Sequence, residues 1–95
     1  MRIRYTKTAL VDLRAVSTYL SHEADEHIAD TVFARLRSVV SSLIDFPDQG
    51  RSGRVVGTRE LIIPRTSLIT VYRVEKGEVQ IIALIHSARR WPETF

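Results

Sequence analysis

The chain has 95 residues, of which 44% are hydrophobic and 26% are charged, so it is expected to form one domain with a modest core. It contains no cysteine, which excludes disulfides and thiolate metal sites, and no apolar run approaches the roughly 18 residues of a membrane span. The net charge of +3 is unevenly distributed, because residues 51–95 hold eight Lys or Arg against four Asp or Glu. This half is where an anionic partner would be sought; the alternative is a solvated basic face without a special partner.

The first five residues alternate between charged and apolar side chains. Ile3 and Tyr5 are apolar, whereas Arg2 and Arg4 are charged. This alternation predicts a short strand with one buried face. No apolar segment of the kind found in secretory signals follows Met1, so we expect a cytoplasmic protein.

Two helices are predicted next, at residues 8–21 and 25–44, and the short polar break between them implies an antiparallel helical hairpin. Either Thr6 or Thr8 is predicted to cap the first helix. The second helix is ended by Pro47, because the residue before a proline is pushed out of helical geometry. The predicted apolar stripes are Leu10, Leu13, Val16 and Leu20 in the first helix, and Ile28, Val32, Leu36, Val39 or Val40, and Leu43 in the second.

The remainder of the chain predicts a loop followed by three strands. Three glycines and a proline make residues 47–57 a loop. The strands are predicted at residues 58–63, 68–74 and 79–86, and a hairpin turn containing Gly77 joins the last two. The order is therefore β-α-α-β-β-β. This order predicts an α+β fold in which the helical hairpin packs on one face of a mainly antiparallel sheet, while the other face stays partly open to a partner.

The sequence contains no pattern typical of a metal or cofactor site, and neither a metal nor a cofactor is expected. Its three histidines, His22, His27 and His86, fall in separate predicted elements. His86 closes the last strand and is a candidate general acid or base; the alternative is a histidine that only hydrogen-bonds backbone atoms at a strand end. Tyr72, on an alternating strand, is interpreted as a packing residue.

Arginine makes up twelve of the fourteen basic residues. Its planar guanidinium suits phosphates and carboxylates. We expect the arginines of the second half to converge on one anion-binding patch; the alternative is that they point apart or pair with Glu60, Glu75 or Glu78. The set consists of Arg51, Arg54, Arg59, Arg65, Arg73, Arg89 and Arg90. Trp91 beside them is a candidate for stacking on a base or a partner side chain; the alternative is that it covers the edge of the core.

Three segments resemble strand signatures of the RelE/ParE superfamily of type II toxins. They are residues 57–64 (GTRELIIP), 71–74 (VYRV) and 81–92 (IIALIHSARRWP). The resemblance covers essentially the whole chain and is nearest to the ParE-like branch. It implies a single toxin domain over residues 1–95, neutralised by a cognate antitoxin in a hetero-oligomer, with no membrane partner.

The resemblance implies one of two targets. ParE-like members bind and poison DNA gyrase, and the implied contacts here are Arg51, Arg54, Arg59, Arg65, Arg89, Arg90 and Trp91. RelE-like members cut messenger RNA on the ribosome, and the implied catalytic residues here are Arg59, Arg73 and Arg89 around the phosphate and His86 for proton transfer. Trp91 stands where many nuclease members carry a tyrosine, and indole cannot exchange a proton near neutral pH, so gyrase is the preferred target.

Two further expectations remain. The antitoxin is expected to dock on the sheet edge or on the apolar seam of the helical hairpin, as a helix in a groove or as an added strand. The seam residues proposed for this contact are Leu13, Val16, Leu20, Val32 and Leu36. The third functional alternative is a nucleic-acid-binding module without toxicity.

Overall fold

The computed structural model describes residues 1–23 and 26–86. The elements are β1 (Arg2–Tyr5), α1 (Lys7–Glu23), α2 (Glu26–Ser42), β2 (Arg51–Ser52), β3 (Arg59–Ile62), β4 (Leu68–Glu75) and β5 (Glu78–His86). The α+β fold and every predicted helix and strand are confirmed. Strand β2 was missed, since it lies inside the predicted loop and two residues are too short to show an alternating pattern.

The sheet has the strand order β1-β5-β4-β3-β2. Strand β1 pairs with β5 in parallel, and the other three pairs are antiparallel, as expected of a mainly antiparallel sheet. The first strand of the chain therefore lies beside the last described strand. Neither of the described helices is long and apolar enough to cross a bilayer.

A β-bulge interrupts the pairing of β4 with β5. Tyr72 pairs with Ile81 whereas Val71 pairs with Ala83, which leaves Ile82 without a partner on β4. The bulge shifts the alternation of β5 by one residue. The side chains that face the helices are therefore the odd-numbered ones before Ile82 and the even-numbered ones after it. One face carries the main core under the helices, and the opposite face carries a second buried apolar cluster. The members of this second cluster are Val71, Ile82, Ala83 and Ile85.

Helix α1 begins immediately after β1 and is capped by Thr6, whose hydroxyl accepts a hydrogen bond from the Ala9 amide at 3.2 Å. Ala9 is fully buried, whereas Leu10 is 51% exposed. The predicted stripe was therefore wrong at its first residue, because the row that faces the sheet begins at Ala9 and continues to Leu13 and Val16.

Helix α2 buries the C-terminal half of its predicted stripe. Leu36, Val40 and Leu43 are at most 4% exposed and lie in the main core. Ile28, at the other end of the stripe, is 48% exposed, so it was wrongly predicted to be buried. The C-terminal half of α2 and Leu43, just after its end, therefore supply the fully buried residues of this stripe.

Candidate functional site

The register of the sheet divides the predicted arginine set between two faces. Arg59 pairs with Tyr72, a member of the core under the helices, so Arg59 lies on that face. Arg73 follows Tyr72 on β4, and Arg51 pairs with Glu60, which follows Arg59 on β3. Since successive residues of a strand point to opposite faces, Arg51 and Arg73 lie on the face away from the helices. The expected convergence on one patch is therefore wrong for Arg59.

Arg59 and Tyr72 together hold the loop that follows α2. Arg59 Nη1 donates to the carbonyl oxygens of Gly50 at 2.8 Å and Asp48 at 3.2 Å, and Nη2 lies 3.6 Å from the Asp48 carboxylate. The Tyr72 hydroxyl donates to the Pro47 carbonyl at 2.7 Å and accepts the Gly50 N–H at 2.9 Å. Tyr72 is fully buried, and this burial raises the pKa of its phenol. The interpretation of Tyr72 as a packing residue is confirmed.

Position 50 requires glycine, because the Tyr72 ring occupies the space that a side chain would need. A Cβ atom added at Gly50 would lie 2.7 Å from the Tyr72 hydroxyl oxygen and 2.8 Å from its Cε1. A close approach of backbone to ring is therefore built into this loop. The absence of a side chain at this position is what lets the Gly50 N–H reach the phenol.

Glu60 anchors the next group of contacts, on the face away from the helices. Its buried carboxylate accepts Arg51 Nε at 3.3 Å and Nη2 at 3.1 Å through Oε1. Its Oε2 accepts the backbone N–H of Arg54 at 2.7 Å. The alternative predicted from sequence, pairing with a glutamate, is observed for Arg51 and also for Arg73, whose Nε lies 3.6 Å from Glu75 Oε2. Glu60 thereby links β2, the β2–β3 loop and β3.

Arg2 and Arg4 lie on the same face, although no local pattern in the sequence links them to the arginine set. Their Nε atoms donate to the two carboxylate oxygens of Glu78, at 3.1 Å for Arg2 and 2.9 Å for Arg4. The hydrogen bond from Arg4, followed by one from Gln80, lowers the pKa of Glu78 to about 2. The alternation of β1 did place both arginines on one face, but only the parallel pairing of β1 with β5 brings them to Glu78.

A pocket of about 490 Å³ lies between the helices and the turn joining β3 to β4. Val16, Leu20 and Val32, three of the five predicted antitoxin-binding residues, line it. Leu36 is only 2% exposed in the core, and Leu13 packs against that core, so neither lines the pocket. The remaining lining residues are Asp12, Ala15, Tyr19, Arg65, Thr66, Ser67, Leu68, Leu84 and His86.

His86 and Arg73 lie at opposite ends of the hairpin formed by β4 and β5. His86 pairs with Leu68, and Arg73 pairs with Gln80, six residues earlier on β5. This offset corresponds to about 20 Å along the strand. Leu68 lies on the helical face and Arg73 on the other, so the two candidate catalytic residues also face opposite sides.

The other residues predicted to contact the target are dispersed over the fold or lie outside the described residues. Arg54 lies in the β2–β3 loop, and Arg65 lies in the β3–β4 turn with a left-handed backbone, φ 62°. Arg89, Arg90 and Trp91 lie outside the described residues. Within residues 1–23 and 26–86, no group of three or more His, Asp or Glu side chains is arranged to hold a metal ion.

The chain has the architecture of RelE/ParE-type toxins, in which two helices pack on a five-stranded mixed sheet. The chain is similar in structure to the chromosomal ParDE toxin-antitoxin system from P. aeruginosa, with a TM-score of 0.76 and 25% identity over 90% of this chain and 95% of that chain. The putative toxin Y4kP of Sinorhizobium fredii is 35% identical over 97% of this chain and 94% of its own. Toxin RelE2 of Caulobacter vibrioides is 31% identical over 93% and 97%, respectively.

The sequence profile described as the ParE toxin of the type II toxin-antitoxin system, parDE, matches residues 3–91. The chain therefore belongs to the ParE toxin family of type II toxin-antitoxin systems.

Proposed function

We propose that this toxin inhibits growth by binding DNA gyrase, and that a cognate antitoxin neutralises it. The family assignment supports a toxin of the ParE type. One observation favours a binding function over RNA cleavage: His86 lies about 20 Å from Arg73 along the hairpin and on the opposite face.

RNA cleavage requires a proton-transfer group and cationic side chains at the same phosphate. A general base must come within hydrogen-bond reach of its proton, roughly 3 Å. Among the described residues, His86 and Arg73 lie too far apart to act on the same phosphate. Tyr72 is close to Arg59, but its hydroxyl is buried and already bonded to Pro47 and Gly50. Among the described residues, neither His86 with Arg73 nor Tyr72 with Arg59 forms the pair that this chemistry needs, which supports a binding function.

The test is a supercoiling assay with purified gyrase and micromolar toxin. We expect inhibition by the wild-type toxin and equal inhibition by His86→Ala, because binding to gyrase requires no proton transfer. Message added to a translation extract should remain intact. Gyrase that supercoils normally in the presence of micromolar toxin would contradict the proposal.

The second candidate is a ribosome-dependent endoribonuclease, which is favoured by the 31% identity to Toxin RelE2. Its signature is codon-linked cleavage in the translation extract that His86→Ala abolishes. That result would replace the gyrase proposal. Normal growth after induction, together with salt-dependent nucleic-acid binding, would instead indicate a non-toxic binding module.

The pocket beside α1 supports the antitoxin part of the proposal. Val16, Leu20 and Val32 give it an apolar wall, and Arg65 stands at its turn side with no ion pair among the described residues. An amphipathic antitoxin helix that places apolar side chains in the pocket and an acidic side chain near Arg65 fits this arrangement.

A matched pair of variants tests this docking site. Ala15→Glu puts a carboxylate into the pocket lining, whereas Ala34→Glu makes the same change at an exposed position of α2 that does not line the pocket. We expect Ala15→Glu to weaken antitoxin binding at least about tenfold, since the complex would bury a carboxylate that repels the acidic antitoxin side chain and competes with it for Arg65. Ala34→Glu should bind normally. Equal affinity of the two variants in titration calorimetry would exclude this pocket.

A further inference from the structure

On the sheet face away from the helices, the end near the β4–β5 turn is entirely polar. Two rows of partners cross three strands there, Arg2–Glu78–Glu75 and Arg4–Gln80–Arg73. We call Arg2, Arg4 and Arg73 the arginine row. It lies outside the pocket and includes two residues of the chain's first strand.

A single hydrogen-bonded network holds all three arginines. Arg2 Nε donates to Glu78 Oε2 at 3.1 Å, and Arg4 Nε donates to Glu78 Oε1 at 2.9 Å. Arg73 Nε donates to Gln80 Oε1 at 2.9 Å, and Gln80 Nε2 donates to Glu78 Oε1 at 2.9 Å. Glu78 and Gln80 are buried beneath the guanidinium groups, so the network has a fixed base.

Each arginine is held through Nε, which leaves the terminal nitrogens for a ligand. A guanidinium has five N–H donors, four of them on the two terminal nitrogens. Among the described residues these terminal nitrogens make no hydrogen bond in the arginine row. The side chains are 80%, 49% and 48% exposed for Arg2, Arg4 and Arg73. Because they are already oriented, they lose little rotamer freedom on binding.

The charge of this region is positive. Three guanidinium groups and Lys76 in the adjacent turn stand against the carboxylates of Glu75 and Glu78. Arg2 and Arg4 are separated by one residue of β1 and donate to the same carboxylate, whereas two strand spacings, about 10 Å, separate the backbone of Arg4 from that of Arg73. A nucleic-acid strand can therefore place one phosphate against Arg2 and Arg4 and a further phosphate against Arg73.

The surroundings favour a nucleic acid over a protein. Protein interfaces have an apolar core, but every side chain of the two rows is polar. The rows also contain no aromatic side chain on which a base could stack. We propose that the arginine row binds the phosphate backbone of a nucleic-acid strand without reading its sequence. This role does not depend on gyrase binding or on the antitoxin.

The experiment measures binding of fluorescent single-stranded oligothymidine to the full chain at several salt concentrations. The row variant carries Arg2→Gln, Arg4→Gln and Arg73→Gln. The control carries Lys7→Gln, Arg14→Gln and Arg37→Gln on exposed positions of the helices, so both lose three charges. We expect the row variant to bind at least about tenfold more weakly and its salt slope to be smaller by about 1.4, which is about 0.7 for each of two phosphates.

A second variant keeps Glu78 paired and guards against misfolding. Arg2→Lys, Arg4→Lys and Arg73→Lys preserves the charge but removes the planar groups. We expect a native circular dichroism spectrum and weaker oligothymidine binding than wild type. Wild-type affinity in this variant, or an equal loss in the helix control, would show that net charge alone is responsible and would overturn the proposal.

Competition distinguishes the possible ligands. Inorganic tripolyphosphate that competes as well as oligothymidine would show a site for free polyphosphate, and polyglutamate that competes better would show a site for acidic protein; either result overturns the proposal. Antitoxin binding and gyrase inhibition should be unchanged in the row variant. A failure of the nucleic-acid-binding proposal can therefore be distinguished from a failure of the proposed function.

Discussion

Both the ring and the hydroxyl of Tyr72 make contacts that stabilise the fold. Its ring fills the space that Gly50 leaves open, and its hydroxyl bonds to Pro47 and Gly50. A strand tyrosine near an arginine resembles a catalytic pair in sequence. Burial and two backbone partners assign it instead to holding the loop after α2.

Tyr72→Phe should therefore reduce stability without changing the packing. It leaves the Gly50 N–H and the Pro47 carbonyl without their partner, and we expect the free energy of unfolding to fall by about 1–3 kcal/mol. Urea denaturation followed by circular dichroism measures this change. Tyr19→Phe is the control, because Tyr19 is 62% exposed and its substitution should change stability by less than about 0.5 kcal/mol. Similar effects of both substitutions would contradict the assigned role.

The roles of single arginines could be predicted only in part. Their number and the position of Glu60 were visible in the sequence, and pairing with a glutamate was an explicit alternative. Which arginine faces which side depends on the pairing register of four strands, and one bulged residue reverses a face. The importance of Arg2 and Arg4 depends on a partner 74 to 76 positions away, which no local pattern specifies.

At the scale of elements, the turn between β4 and β5 has an unusual backbone. Lys76 has φ 53° and Gly77 has φ 74°, and Glu75 pairs directly with Glu78. Two successive positive φ values in a two-residue loop match a type I′ turn, which suits the right-handed twist of the strands. Glycine adopts this geometry readily, but lysine does so at an energetic cost.

Lys76→Asn should stabilise the hairpin. Asparagine tolerates left-handed backbone, and Asn-Gly is the favoured pair of type I′ turns, so we expect a gain of about 0.5–1 kcal/mol. The midpoint of urea denaturation should rise while the dependence on urea concentration stays the same. A lower midpoint would indicate that the lysine side chain contributes more to the native turn than its backbone costs.

Elements with a long periodic pattern could be predicted well, and short or irregular ones could not. Both helices and the three longer C-terminal strands follow from periodicity and from breaks at Pro47 and Pro64. Strand β2 is held by Glu60 and by pairing with β3, so its cause is tertiary. The pocket depends on how the helices sit on the sheet, yet three of its apolar residues were visible as part of the helical seam.

At the scale of the molecule, Glu78 couples the two ends of the described fold. It binds Arg2 and Arg4 on β1 while lying at the start of β5, where the turn of the hairpin ends. The pKa of Glu78 is lowered to about 2 by these contacts and by Gln80. The Glu78 carboxyl is therefore ionised more readily in the native state than in the unfolded state.

This shift predicts a loss of stability in acid. Because the folded-state pKa lies below the unfolded value, Glu78 stabilises the fold fully above pH 4.5, and its contribution disappears as the pH falls toward about 2. Urea midpoints measured between pH 6 and about 2 should fall less steeply for Glu78→Gln than for wild type. Glu75→Gln is the control and should retain the wild-type slope. Parallel curves for Glu78→Gln and wild type would contradict the coupling.

The pairing of β1 with β5 has a consequence for synthesis. A nascent chain makes β1 first, but among the described strands its neighbour is β5, which begins at Glu78 and is translated last. Ribosomes that stall or terminate before this point release polypeptides with an incomplete sheet, which proteases can remove. Only chains translated through β5 can complete the sheet.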